Sequence, residues 1–176
     1  MSYEILLRDY RIIFIDFDGV IKDSLGIKGE AFKSIFQKYG NDVSQKIFNH
    51  HMTNGGISRN TKIPIYIEFT GQIASKKLVD QYLTKFSTTV CEKVIACKWI
   101  PGAENFLKNN KFNHKFILIT ATPQKEIEYI LKELKIYHLF EHIYGNPSEK
   151  KTSIESYVKK NKVSKDSCLV IGDSKV

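Results

Sequence analysis

The chain has 176 residues, 42% of them hydrophobic and 26% charged, with a formal net charge of +8. That length suits one ordinary domain plus a small insert, and the balance is ordinary for a soluble globular protein. No apolar stretch approaches the roughly 18 residues that a membrane span needs, and the acidic, polar start is no signal peptide, so no membrane partner is expected. The lysines are scattered along helical segments, as at Lys33, Lys38, Lys46, Lys108 and Lys132. Without a basic run carrying interleaved aromatics, no nucleic-acid partner is expected either, and the charge reads as solvated surface that also attracts anionic substrates. Cys91, Cys97 and Cys168 form no C-x-x-C pair and read as reduced thiols of a cytoplasmic protein.

The first element in chain order is a strand at about 11–15. Ile12-Ile13-Phe14-Ile15 is a continuous apolar run of the kind that suits a parallel strand buried on both faces. It ends in Asp16-Phe17-Asp18-Gly19. Residues i and i+2 of a strand point the same way, so Asp16 and Asp18 can share one site at its carboxyl end, where open α/β sheets hold ligands. Two adjacent carboxylates repel unless a cation or a proton lies between them, and Mg²⁺ is the natural hard cation for aspartate oxygens.

Residues from about 22 to 97 read as four helices without a convincing strand. From about Lys28 the residues Ala31, Phe32, Ile35, Phe36 and Tyr39 fall at helical spacing, with Gly40 as a stop. Asp42 can cap a second helix, with Val43, Ile47 and Phe48 inward. Ser58 can cap a third, in which Pro64 is tolerable only near the first turns, and Gly71 closes it. Ser75 can start a long helix carrying Leu78, Val79, Tyr82, Leu83, Phe86, Val90 and Val94.

The β pattern resumes after Trp99-Ile100-Pro101-Gly102. A helix at about 103–110 leads into the apolar run Phe116-Ile117-Leu118-Ile119, which ends in Thr120. Pro123 opens a helix with Ile127, Ile130, Leu131 and Leu134 inward. Ile143-Tyr144 reads as a short strand, about 150–160 as a helix, and about 167–171 as a last strand ending in Gly172-Asp173. Alternating strands and helices imply an α/β fold with a parallel, doubly wound sheet.

Asp16-Phe17-Asp18-Gly19, then Thr120, then Lys150 just past Gly145-Asn146-Pro147, then Gly172-Asp173 form an ordered set, each member after its own strand or turn. The set resembles the haloacid dehalogenase superfamily of phosphotransferases, over Ile12 to Val176. The resemblance implies a Rossmann-like core from residues 1–21 and 98–176, and a mobile α-helical cap from 22–97. It further implies that Asp16 attacks phosphorus and carries the phosphoryl group, and that Asp18 is the general acid/base. A second aspartate argues against the dehalogenase branch, which lacks one there. Thr120 and Lys150 match the groups that hold the equatorial phosphate oxygens; Lys151 competes for that role, but Pro147 spacing favours Lys150. Asp173 matches a ligand of Mg²⁺, alongside the Asp16 carboxylate and the backbone carbonyl of Asp18.

In the insert, Gly56-Ile57-Ser58-Arg59 resembles the Gly-x-Ser-Arg loop in the caps of β-phosphoglucomutase-like members, where the arginine grips a charged part of the substrate. The alternative is that Ser58 only caps a helix and Arg59 is a surface side chain. Lys28, in the segment entering the cap, is a second candidate for facing substrate. His50 and His51 read as surface or packing residues. Relatives usually carry another acid four positions after the one matched by Asp173, then a further helix and strand, and the chain stops one position short of that acid. The expectation is therefore a C-terminally truncated relative with a weakened metal site and an exposed sheet edge that offers a surface for dimerisation. The function expected is that of a cytoplasmic, Mg²⁺-dependent phosphatase acting on a small phosphorylated metabolite. The alternatives are a sugar phosphomutase and a catalytically weak binding module.

Overall fold

A computed structural model describes residues 7–146 and 149–173. The chain forms two compact units, residues 1–22 with 99–176, and residues 23–98. In chain order the elements are β1 (Ile12–Ile15), then the helices α1 (Leu25–Phe36), α2 (Asn41–Thr53), α3 (Arg59–Glu68), α4 (Lys76–Ala96) and α5 (Ala103–Asn109). They continue with β2 (Lys115–Thr120), α6 (Gln124–Glu133), β3 (Phe140–Gly145), α7 (Lys150–Lys160) and β4 (Cys168–Ile171). Among the described residues no helix is long and apolar enough to cross a membrane.

The first unit is built on a four-stranded sheet of order β3-β2-β1-β4, parallel throughout. β1 lies inside it, and its register sets Phe14 beside Ile117 on one neighbour and Val170 on the other. One face of the sheet presents Ile12, Phe14, Ile117 and Ile119 to Tyr157 and Val158 of α7. The Phe14 ring meets Tyr157 edge-on at 5.6 Å. On the opposite face Phe106 of α5 lies 5.4 Å from Phe116. Helices on both faces leave β1 no polar side, and this is why its sequence is an unbroken apolar run. Phe14 is 1% exposed, and its truncation to Ala is expected to cost about 3–5 kcal/mol.

β3 is longer than the Ile143-Tyr144 pair marked by hydrophobicity, because it is an edge strand in which two polar residues separate Phe140 from that pair. Glu141 and His142 are exposed there. Glu141 accepts a hydrogen bond from the Tyr157 hydroxyl at 2.7 Å and pairs with Lys115 Nζ at 2.8 Å.

The second unit contains α1 to α4. α1 begins at Leu25, ahead of the helical pattern first visible at Lys28. Asp42 lies in the first turn of α2 and does not cap it; Gly40, with φ of +97°, occupies that position. Ser58 and Ser75 cap as expected, accepting from Asn60 N at 3.3 Å and Leu78 N at 3.4 Å. Pro64 lies inside α3, in its second turn, where it removes one backbone donor without ending the helix. Aromatic rings fill the centre: Phe32 stacks on Phe86 at 3.9 Å, Tyr66 meets Phe32 edge-on at 5.1 Å, and Phe36 stacks on Tyr82 at 4.3 Å.

Glu141 supplies a test of the β3 edge. Hydrogen bonds from Lys115 and Tyr157 hold its carboxyl below the ordinary value. A lowered folded pKa contributes stability above the ordinary carboxylate range, and that contribution is lost as pH falls through the folded value. Glu141→Gln is therefore expected to be less stable than wild type at neutral pH by a fraction of a kcal/mol. The gap should close below about pH 4; denaturant titrations across that range measure it, and a pH-independent gap contradicts the assignment.

Candidate active site

Because the strands are parallel, their carboxyl ends gather at one edge of the sheet, and the chemistry-bearing residues follow those ends. Asp16 comes directly after β1, and its N–H donates to the Ile171 carbonyl of β4 at 3.0 Å. It is 8% exposed. One carboxylate oxygen, Oδ1, accepts from the Phe17 N–H at 2.8 Å. The other, Oδ2, accepts from the ammonium of Lys150, the first residue of α7. Lys151 is exposed, so helix periodicity gives Lys150 the contact. Pro147, whose spacing favoured the same choice, lies outside the described residues.

After Asp16 the chain folds back on itself. The Ile21 and Lys22 N–H groups donate to the Phe17 carbonyl at 2.9 and 3.1 Å, and Gly19 N–H donates to the Lys22 carbonyl at 2.9 Å. Gly19 has φ of +74°, and a Cβ there would lie 2.9 Å from Cγ of Asp173. Glycine thus serves twice, by adopting the turn and by letting the Asp173 carboxylate lie against the segment that carries Asp18. Asp18 is half-buried and Asp173 exposed. Thr120 ends β2, is fully buried, and its Oγ1 accepts from Thr122 N–H at 3.2 Å. Asn146 N–H donates to the Thr120 carbonyl at 2.7 Å.

Burial pushes the Asp16 carboxyl above its ordinary value; Lys150 pulls it down by charge and hydrogen bond, and Asp18 pushes it up again, with burial prevailing. Further positive charge beside Asp16 favours the carboxylate. Among the described residues no three His, Cys, Asp or Glu side chains are grouped so as to hold a metal ion. Asp16, Asp18 and Asp173 therefore do not form a ready-made cluster, and both Asp16 oxygens already accept hydrogen bonds. The donors are nevertheless hard carboxylate oxygens, and Mg²⁺ is usually held by one or two carboxylates plus waters and substrate phosphate. The donor chemistry fits that ion.

Lys28 and Arg59 belong to the helical unit. Lys28 is in the first turn of α1 and 7% exposed. Arg59 opens α3, is 6% exposed, donates from Nη1 to Ser87 Oγ at 2.8 Å, and sits 4.6 Å over the Phe86 ring. It is not a surface side chain, although Ser58 does cap its helix. His51 is buried, and the ammonium of Lys62, itself 1% exposed, reaches its Nδ1 at 3.1 Å. The tautomer with its proton on Nε2 lets Nδ1 accept from that ammonium. His50 packs against Tyr66 and Phe69.

Sequence reasoning missed two buried lysines, Lys62 and Lys22. Lys22 is 2% exposed, and its ammonium lies 4.7 Å over the Trp99 ring. A signal was present for Lys22, since it continues the apolar Val20-Ile21 pair. Lys62 sits where the helical period of α3 points inward, at i+3 from Arg59 and i−4 from Tyr66.

The profile of the haloacid dehalogenase-like hydrolase family matches residues 12–176, and the chain belongs to that family. No curated protein matches it. Its fold is shared with solved structures of low sequence identity. A hydrolase from Pseudomonas syringae is 21% identical, with a TM-score of 0.71 over 93% of this chain and 76% of that one. A phosphoglycolate phosphatase candidate from Haemophilus somnus is 15% identical, with a TM-score of 0.69 over 94% of this chain and 77% of that one. A β-phosphoglucomutase candidate from Thermotoga maritima is 20% identical, with a TM-score of 0.64 over 93% and 76%.

Removing Lys150 tests the pair at the centre of the site. Lys150→Met leaves Asp16 buried without its cation, and breaking such a pair costs about 3–5 kcal/mol. Protonation of Asp16 relieves the cost, so the deficit measured by urea unfolding should shrink between neutral and mildly acidic pH. A deficit that stays constant across that range argues that Asp16 does not depend on Lys150.

Proposed function

We propose that the chain is a phosphatase that hydrolyses a small phosphorylated metabolite through an aspartyl-phosphate on Asp16. The observation that carries this reading is the buried Asp16–Lys150 pair at the end of the central strand. An isolated carboxylate there would protonate and lose its nucleophilicity, and the ammonium opposes that. In the free protein Lys150 opposes the protonation that burial favours at Asp16; with substrate bound, the same ammonium also reaches the phosphoryl oxygens, as electrostatic stabilisation of phosphoryl transfer requires. The Thr120 hydroxyl donates to another of those oxygens.

Asp16 attacks phosphorus while the bond to the leaving oxygen breaks, and Asp18 gives that oxygen a proton. Asp18 then takes a proton from water as the water attacks the phosphoryl group, and the bond to Asp16 breaks to release inorganic phosphate. Asp16, Asp173 and the Asp18 carbonyl would hold Mg²⁺, whose charge would offset that of the phosphate. Asp16, Asp18, Thr120, Lys150 and Asp173 all belong to the first unit, which we read as the catalytic core. We read the helical unit as a cap, in which Arg59 and Lys28 are the candidates for contact with substrate.

A phosphomutase differs only in that a sugar hydroxyl, not water, accepts the phosphoryl group, and a catalytically silent binding module lacks turnover altogether. The setting we infer is the cytoplasm, in keeping with three free thiols. The outer edge of β4, where Val170 is 58% exposed, is our candidate surface for a dimer.

Mg²⁺-dependent release of phosphate from an aryl phosphate tests the enzyme reading, and addition of a sugar bisphosphate separates mutase from phosphatase. Asp16→Asn is expected to abolish labelling by radioactive phosphate and lower kcat by at least about 10³-fold, with the fold intact by circular dichroism. Wild-type turnover in that variant removes Asp16 from the nucleophile role. Arg59→Ala should raise KM for the natural substrate far more than for a small aryl phosphate. Equal effects on both would assign Arg59 to cap packing.

A further inference from the structure

We propose that Lys22 is a positioning residue: its buried ammonium, seated on the Trp99 ring, locks the turn that carries Asp18. The catalytic part of this inference rests on the phosphatase reading, and the structural part stands without it. Lys22 closes the turn that begins at Asp18. Its carbonyl accepts from Gly19 N–H at 2.9 Å, and its N–H donates to the Phe17 carbonyl at 3.1 Å. Lys22 forms isolated β-bridges with both Asp18 and Trp99. The next rung joins the same two segments, with Ile100 N–H donating to the Ile21 carbonyl at 3.0 Å. The backbone around Asp18 is thus tied to the segment at Trp99 through Ile21 and Lys22.

The side chain adds a tie of its own. A buried lysine ammonium loses hydration, and a methionine would fill a similar length without that loss. The ammonium gains a defined seat, 4.7 Å over the Trp99 ring, where the ring quadrupole attracts it. Lys22 is as buried as the apolar core, at 2% exposure, so the contact is shielded from water. A general acid has to stay within hydrogen-bond reach of its proton acceptor, and displacements of about 1 Å can cost about 10²-fold in rate. A turn held at Lys22 keeps Asp18 within that tolerance.

Lys22→Met, Lys22→Arg and Trp99→Leu test the proposal, with p-nitrophenyl phosphate and Mg²⁺ as assay and with amide hydrogen exchange of Gly19 as a readout independent of activity. Lys22→Met should keep its circular dichroism spectrum, lower kcat by about 10- to 100-fold with KM changed by less than about threefold, and speed Gly19 exchange at least about tenfold. Lys22→Arg, which restores a cation over the ring, should recover most of both. Trp99→Leu should match Lys22→Met, and the double variant should be no worse than either single one. Trp99 is the single tryptophan of the chain, so a shift of its emission in Lys22→Met reports loss of the contact directly.

Unchanged Gly19 exchange in Lys22→Met overturns the proposal. If Lys22→Met does not fold, unchanged exchange in Trp99→Leu overturns it equally. Altered exchange with unchanged kcat overturns the catalytic part. A wild-type chain without any phosphatase activity refutes the phosphatase reading instead, and the exchange measurement still decides whether Lys22 holds the turn.

Discussion

A carboxylate buried at the end of the central strand is the constraint on which the first unit depends. Asp16 cannot be solvated there, so the fold supplies what water would: a backbone N–H from Phe17 and an ammonium from Lys150, 134 residues away in sequence. The Lys150 contact requires α7 to start at the carboxyl edge of the sheet and to pack along the face that holds Phe14. Tyr157 and Val158, two turns further along that helix, supply the packing. The apolar contacts and the ion pair are therefore one arrangement, since the buried rings of α7 aim its first residue at the aspartate.

The turn after β1 meets a second constraint, of space. Gly19 must take a positive φ and leave room for the Asp173 carboxylate, which a Cβ at that position would crowd. This fit brings Asp173 against the segment of Asp18, although the carboxylates stop short of a closed metal cluster.

In the helical unit charge is buried as freely as rings. Lys28, Arg59 and Lys62 are each less than a tenth exposed. Arg59 lies on the Phe86 ring and donates to Ser87, and Lys62 meets His51 Nδ1. Such cations cost desolvation, which the Ser87 hydroxyl and the His51 ring offset in part.

Local pattern alone settled much of this molecule. The unbroken apolar run before Asp16 announced a strand covered on both faces, and the alternation after Trp99 announced a parallel sheet, because covering and period are written into residue order. Ser58 and Ser75 marked helix starts, since a cap is satisfied within three residues. Asp42 misled because Gly40 already opened α2, and β3 was under-read because an edge strand needs few apolar residues. The order of Asp16, Asp18, Thr120, Lys150 and Asp173 was legible as a family pattern. What no local pattern contains is which partner each buried lysine meets. Lys22, Lys62 and Lys150 resemble two dozen other basic residues in sequence, and only packing decided that one meets a carboxylate, one a histidine and one the Trp99 ring. Burial and charge pairing depend on residues far apart along the chain, and those neighbours exist only once the chain has folded.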